Sequence, residues 1–457
     1  MKPFLLRDAV RACGGKYIGP EATLDREITF VTSDSRTVAP GALFVAFVGE
    51  RVNGHDFMAD GLKSGAVACV SEREPLNDDE TPCVVVDSSL RAIGAIAAWH
   101  RSRFHIPVVG VTGSVGKTTT KEMLASVLSQ RFNTHRTDKN YNNELGVPWT
   151  LLRLDDANEV SVVEMGINRF GEMRRLTRIV RPDIAVFTVI GDAHLEFLGD
   201  RPGVLRAKGE IVEGMPEDGL LVLNGDDPLL RDFNPGQRRV TYGLSADCDV
   251  RAENVVSHGA AGTRFTIHHA NGAFDAEIRA YGSHLVNAAL AAAAVGLALG
   301  LTETEIAAGI ADYHTVGDRA RVIEANGMTI VSDCYNANPN SVRAAVDSLT
   351  GMVGRKLCIL GDMLELGNDA VALHREVGAY AARNGAALVV GCGPLGRSIA
   401  EGARDAGGHA VAFDTRDALI DALPEIVRPG DVVLVKASHS MAFEKVVEAM
   451  GTIMLVR

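Results

Sequence analysis

Short apolar runs alternate along the chain with longer stretches of helical spacing, and this alternation predicts the elements. Residues 106–111 form a bounded, β-branched run of the kind that makes a buried strand. Residues 83–87, 160–163, 184–190 and 220–223 repeat that texture, while 90–104 and 117–130 place apolar residues at helical intervals. Strands interleaved with helices imply a parallel sheet covered by helices. Between about residues 247 and 282 the pattern turns alternating, with turn signals at Gly259 and Asn271-Gly272, which predicts a small antiparallel insert. After Tyr313 a second series follows, with strands expected at 328–331, 357–360, 387–390 and 432–435, each leading into a helix. A run of such units reads as a Rossmann-like domain. The expected architecture is therefore α/β in three domains: 1–88, a central 89–315 built on a parallel sheet, and 316–457.

Composition agrees with that division. At roughly 150 residues per domain, 457 residues suggest about three. The Ala-rich stretch 288–301 is too short for a membrane span of about 20 residues and reads as a buried helix. Seven scattered cysteines, none at C-x-x-C spacing, speak against a zinc ribbon or a disulfide framework and for a reducing compartment. Lys2, Arg7, Asp8 and Arg11 interrupt the apolar residues at the start, so no signal-peptide core is expected. Net charge is −12 with no block of five or six like charges, which disfavours nucleic acid as a partner. The expectation is a cytoplasmic protein without membrane partners.

Candidate chemistry begins at the turn after the 106–111 strand. Gly113-Ser114-Val115-Gly116-Lys117-Thr118-Thr119 stands between a strand and a helix. Small residues there let backbone N–H groups approach phosphate oxygens, and the helix N-terminus adds positive partial charge. Lys117 would reach the β- and γ-phosphates of ATP and the Thr118 hydroxyl would meet Mg²⁺. Val111 stands where the longer phosphate-loop pattern has glycine, so the match is to the shorter G-x-x-G-K-T form. Ligands of open parallel sheets bind beyond the carboxyl ends of the strands. Those ends carry Glu164, then Asp192 and His194, then Asp226 and Asp227. Carboxylate and imidazole beside phosphate suit Mg²⁺ or Mn²⁺. Asp226-Asp227-Pro228 reads equally well as a turn.

Further segments carry a resemblance. They are Asn140-Tyr141-Asn142-Asn143-Glu144, Glu164-Met165-Gly166, Ala193-His194-Leu195-Glu196 and Ala207-Lys208-Gly209-Glu210. Together with the phosphate loop, they make nearly the whole chain resemble the ATP-dependent Mur ligases of peptidoglycan synthesis. Thr32-Ser33-Asp34-Ser35-Arg36, Gly54-His55-Asp56-Phe57, Asp333-Cys334-Tyr335-Asn336-Ala337-Asn338-Pro339 and residues 361–367 are similar to the members that join D-alanyl-D-alanine to UDP-N-acetylmuramoyl-tripeptide. The resemblance implies that ATP phosphorylates the tripeptide carboxylate and that the dipeptide amine then displaces phosphate from the acyl phosphate.

It also implies roles for residues. Lys117, Glu164, His194 and Lys208 would be catalytic, and Thr118, Glu164, His194 and Lys208 would hold two Mg²⁺ ions, with Lys208 carbamylated by CO₂. Asn287, Arg319 and Asn336 would join residues 113–119 in holding ATP, although Asn336 and Asn338 read equally as a tight Asn-Pro turn. Ser33, Asp34, Ser35, Arg36, Asn53 and His55 would hold the UDP moiety in the N-terminal domain, and Asn143 would contact substrate. Ser-Asp-Ser-Arg taken by itself is more often a turn. Lys436 is a candidate on the amine-donor side, and a monomer is expected. Two sister activities share the loop and metal residues: addition of a diamino acid to the UDP-dipeptide, and folylpolyglutamate synthesis. From another class comes an ATPase switch that makes no bond.

Overall fold

A computed structural model describes residues 1–49, 52–75, 81–282, 285–315 and 320–452. Among these residues the strands form three large sheets and a two-stranded ribbon that pairs Phe4–Leu5 with Glu27–Ile28. The N-terminal sheet runs Lys16–Ile18, Cys83–Val85, Ala68–Ser71, Ala42–Val45, Phe30–Thr32, parallel except at the first pair.

The central sheet has nine strands. Its parallel part orders Arg238–Gly243, Leu220–Asn224, Ile184–Phe187, Val108–Thr112, Val160–Glu164, Thr134–Arg136. Val108–Thr112 is central and every residue in it is buried, which is why it reads as a continuous apolar run rather than an alternation. The expected antiparallel segment is present, but as the edge of this sheet. Val250–Ser257 pairs parallel with Arg238–Gly243, and Thr263–His269 and Gly272–Ile278 follow antiparallel. The Ala-rich segment forms the helix Leu285–Ala298, whose small side chains pack against Lys117–Leu128 behind the phosphate loop.

The C-terminal sheet runs Arg321–Ala325, Met328–Asp333, Asp431–Lys436, Arg355–Gly361, Leu388–Cys392, Ala410–Phe413, with only the first pair antiparallel.

Burial shows how the sheets are joined. One apolar cluster runs from Phe4, Leu43 and Val84 through Ile93 and Ile96 to Val163, Leu176 and Leu223, so the N-terminal sheet and one face of the central sheet share a core. The C-terminal sheet has clusters of its own, entered from the central part by Tyr281. A shared core resists relative movement, whereas a sparse junction allows it. The seven cysteines are free thiols. No helix among the described residues is long and apolar enough to cross a membrane.

Candidate active site

The phosphate loop leaves Val108–Thr112 at its carboxyl end. Gly113 adopts φ +144° and Gly116 φ +83°. Glycine is needed at 113 for a second reason, since a methyl group there would overlap Thr188 Oγ1. The loop is braced from the neighbouring strand, where Ser114 N–H donates to Val189 O at 2.8 Å and Thr188 Oγ1 to Val115 O at 2.5 Å. Lys117 Nζ folds back on the loop and donates to Gly113 O at 2.8 Å.

Glu164 ends the adjacent strand, and its carboxylate is 1% exposed. Its Oε1 accepts from Thr118 Oγ1 at 3.1 Å and from Asn142 Nδ2 at 2.8 Å. Its Oε2 is buried without a hydrogen-bond partner. A buried carboxylate oxygen left unsatisfied costs roughly 1–3 kcal/mol or more, so the position suits an arriving cation. No three His, Cys, Asp or Glu groups cluster as ready metal ligands among the described residues. The donor set is a carboxylate and a hydroxyl beside a phosphate loop, the hard-oxygen environment in which Mg²⁺ keeps waters and takes phosphate oxygens as ligands.

Lys208 lies at the end of the helix Arg201–Gly209 and is wholly buried, its Nζ without a hydrogen-bond partner. Burial holds its ammonium well below the ordinary lysine range and nearby Lys117 adds to the effect, while Glu172 opposes it. His194 N-caps the short helix Leu195–Leu198 at φ +58°, and its Nδ1 lies 2.5 Å from Glu365 Oε2, which belongs to the C-terminal sheet's loops.

These elements open on one cavity of about 1670 Å³. Ser33, Asp34, Ser35, Arg36 and Asn143 line its walls together with Ser114, Val115, Gly116, Lys117, Thr118, Thr119, Glu164, His194, Asn287 and Asn336. Gly113 and Lys208 are not among the lining residues. Asn53 and His55 do not line it either. Asn53 Oδ1 accepts from His55 N–H and pairs with His55 Nδ1, while His55 Nε2 accepts Glu72 N–H, so both residues secure a turn. Arg319 lies outside the described residues.

Arg36 forks onto Asp34 at 2.9 and 2.7 Å and holds that carboxyl down at about 2. Asn143 Oδ1 accepts Leu145 N–H at 3.2 Å and Gly146 N–H at 2.8 Å, just ahead of the helix Gly146–Leu152. Asn336 Oδ1 accepts Ala337 N–H, and Asn338 caps Pro339–Leu349, so both hold the turn as well as lining the wall. Asn287 Oδ1 is buried and unpartnered. Lys436 sits 2.5 Å from Asp333 across adjacent strand ends. Asp226 and Asp227 act as turn and cap, accepting from Ser245 N–H and Leu229 N–H. The sequence reading missed Asn142 and Glu172, both on the cavity wall. Asn142 sits inside the asparagine-rich segment, so proximity was the available signal; Glu172 opens a surface-patterned helix and offers none.

Three family descriptions match the chain in succession: "Mur ligase family, catalytic domain" over residues 27–108, "Mur ligase middle domain" over 111–296 and "Mur ligase, glutamate ligase domain" over 318–439. UDP-N-acetylmuramoyl-tripeptide--D-alanyl-D-alanine ligase of Escherichia coli (strain K12) is 39% identical, covering 95% of this chain and 96% of that one. The chain belongs to the Mur ligase family. As a Mur ligase it is also similar in structure to MurF from Acinetobacter baumannii, with a TM-score of 0.91 and 30% identity over 99% and 100% of the two chains. MurF from Thermotoga maritima in complex with ADP matches at TM-score 0.82 and 30% identity, covering 93% and 97%. The family's three matched segments fall on the three sheets described above, and the cavity lies where they meet.

Proposed function

We propose that this Mur ligase joins D-alanyl-D-alanine to UDP-N-acetylmuramoyl-tripeptide at the cost of ATP, through an acyl phosphate. The observation that carries the reading is the single cavity in which the phosphate loop, the buried Glu164 and residues of both outer sheets converge. Relatives and structures bearing that ligase name match over nearly the full chain, and one of the structures holds ADP.

The mechanism follows from charge. A tripeptide carboxylate must approach a γ-phosphate that is more negative still. Carboxylates outnumber cations among the described lining residues, and Arg36 and Lys436 are each held by an aspartate. Offsetting the repulsion falls to the loop amides, Lys117 and divalent cations. Lys117 swings from Gly113 O to the phosphate oxygens when ATP enters. Thr118 and Glu164 would hold one Mg²⁺, with the unpartnered Oε2 as a ligand atom. His194 and Lys208 would hold a second. Neutralising the β- and γ-phosphate oxygens is the chemistry that Mg²⁺ supplies when bound. The depressed basicity of Lys208 leaves a neutral amine able to add to CO₂: its nitrogen bonds to the carbon, one proton is released, and a carbamate anion replaces the unpartnered amine.

A carboxylate oxygen of the tripeptide attacks the γ-phosphorus and ADP leaves. The deprotonated dipeptide amine then attacks the acyl carbon and phosphate departs with that oxygen. Asn287, with its unpartnered Oδ1, meets the adenine, and Ser33 to Arg36 meet the UDP group. The divisions near residues 88 and 315 give the UDP group to the first domain, ATP to the second and the amine substrate to the third. Incubation with ATP, Mg²⁺ and both peptides should yield the UDP-pentapeptide by mass spectrometry with one ADP per bond. ADP formation that is indifferent to D-alanyl-D-alanine would overturn the reading.

A further inference from the structure

The segment 191–197 carries His194, and the C-terminal domain grips it at two points. Asn340 packs its amide against Gly191, and a side chain there would have to push that amide aside. At the other end Glu365 pairs with His194, and Gly367 lies beside Glu196. His194 and Glu365 both adopt left-handed backbone conformations, φ +58° and +62°. Non-glycine residues keep such conformations only where their surroundings fix them.

The other side of the segment is tied to the phosphate loop. Gly191 N–H donates to Ser114 Oγ at 2.9 Å, and Ile190 N–H donates to Asp227 Oδ2 at 2.6 Å. A carboxylate can only accept, so His194 donates its Nδ1–H to Glu365, and Nε2 is the ring nitrogen left outside this contact. His194 itself lines the cavity.

We infer that Glu365 is a positioning residue for phosphoryl transfer. Arriving with the C-terminal domain, it fixes the tautomer and rotation of His194, so the site is complete only once the domain carrying the amine substrate has docked. This rests on the functional reading above for its consequence in turnover, but the pairing itself can be observed without turnover. Hydrogen-bonded carboxylates behind such histidines are typically worth 10- to 100-fold.

The test compares Glu365→Ala and Glu365→Gln with the wild type, using Glu376→Gln, an exposed partner of Arg343 on the same domain, as control. Two-bond ¹H–¹⁵N correlation on the ATP-free protein reads the His194 ring, assigned with His194→Asn. The wild type should show the Nδ1-protonated tautomer, and Glu365→Ala should lose that preference. Its kcat should fall 10- to 100-fold with KM for UDP-tripeptide within twofold, while Glu365→Gln, which keeps an accepting oxygen, falls less. Glu365 is 44% exposed on its side chain, so the variants should fold, and an unchanged melting curve verifies it. Unchanged His194 signals in Glu365→Ala, or a kcat within twofold of wild type, would overturn the inference. A wild type that shows the tautomer but makes no amide would fault the functional reading instead.

Discussion

Replacing Lys208 with methionine should make the protein more stable and inactive. The side chain is wholly buried, its nitrogen has no hydrogen-bond partner, and Lys117 adds a like charge nearby. Methionine keeps an unbranched apolar stem, one atom shorter, while removing the nitrogen that burial penalises. An unsatisfied buried polar group costs about 1–3 kcal/mol, and a charged one more, so Lys208→Met should gain about 2 kcal/mol at neutral pH in CO₂-free buffer. For a domain of about 200 residues that is roughly 4–8 °C in the melting temperature of the transition containing the central sheet.

The sign with pH follows from linkage. The folded-state amine titrates well below its ordinary 10.5, so between those values the unfolded chain binds more protons and wild-type stability rises with pH. The advantage of the variant should therefore shrink as pH approaches 10.5. Added bicarbonate should stabilise the wild type and leave Lys208→Met unmoved, because only the wild type can form the carbamate. Scanning calorimetry from neutral pH to about 10, with and without bicarbonate, measures all three effects. A variant less stable than wild type in CO₂-free buffer, or a gain that does not change with pH, would refute the reasoning.

Other perturbations test separate parts of the account. Gly113→Ala forces a methyl group onto Thr188 Oγ1 at a left-handed backbone position and should raise KM for ATP more than about tenfold; adding Thr188→Ala should restore part of it, as measured by steady-state kinetics. Asn287→Ala removes an oxygen that has no partner, so the melting temperature should hold while KM for ATP rises about three- to tenfold, the worth of one hydrogen bond. Burial depresses His100 to about 4, so its share of stability, about 3 kcal/mol, is present above pH 6.5 and lost as pH falls towards 4. His100→Phe, which fits between Phe4 and Phe104 and leaves Leu154 O accepting from Lys2 N–H, should flatten that part of the pH profile in urea unfolding.

What the sequence disclosed depended on how local each feature is. Residues 113–119 and the run before them form one strand, turn and helix, so composition and spacing located them. The buried strands Val160–Glu164, Ile184–Phe187 and Leu220–Asn224 read as apolar runs because both faces are covered. Thr134–Arg136 is three residues long at a sheet edge, and Arg238–Gly243 begins with two arginines, so neither gave an apolar signal. Side-chain partners were less legible. Arg36 forms an ion pair with Asp34 two positions away, a partnership the pattern does not announce. Asn143 drew attention, while the adjacent Asn142 is the one that reaches Glu164. Burial of Lys208 could not be read from a helix of mixed pattern; only resemblance singled it out. Glu365 lies 171 positions from His194, and their meeting is created by the packing of two domains.

The central claim is that one cavity passes the terminal phosphoryl group of ATP to a peptide carboxylate and that an amine then displaces it. It is tested most directly with UDP-tripeptide labelled with ¹⁸O in its terminal carboxylate, turned over with ATP and D-alanyl-D-alanine, and with mass analysis of the released phosphate. The account predicts one labelled oxygen in each phosphate formed, matched by one new amide bond. Unlabelled phosphate accompanying amide formation would contradict it.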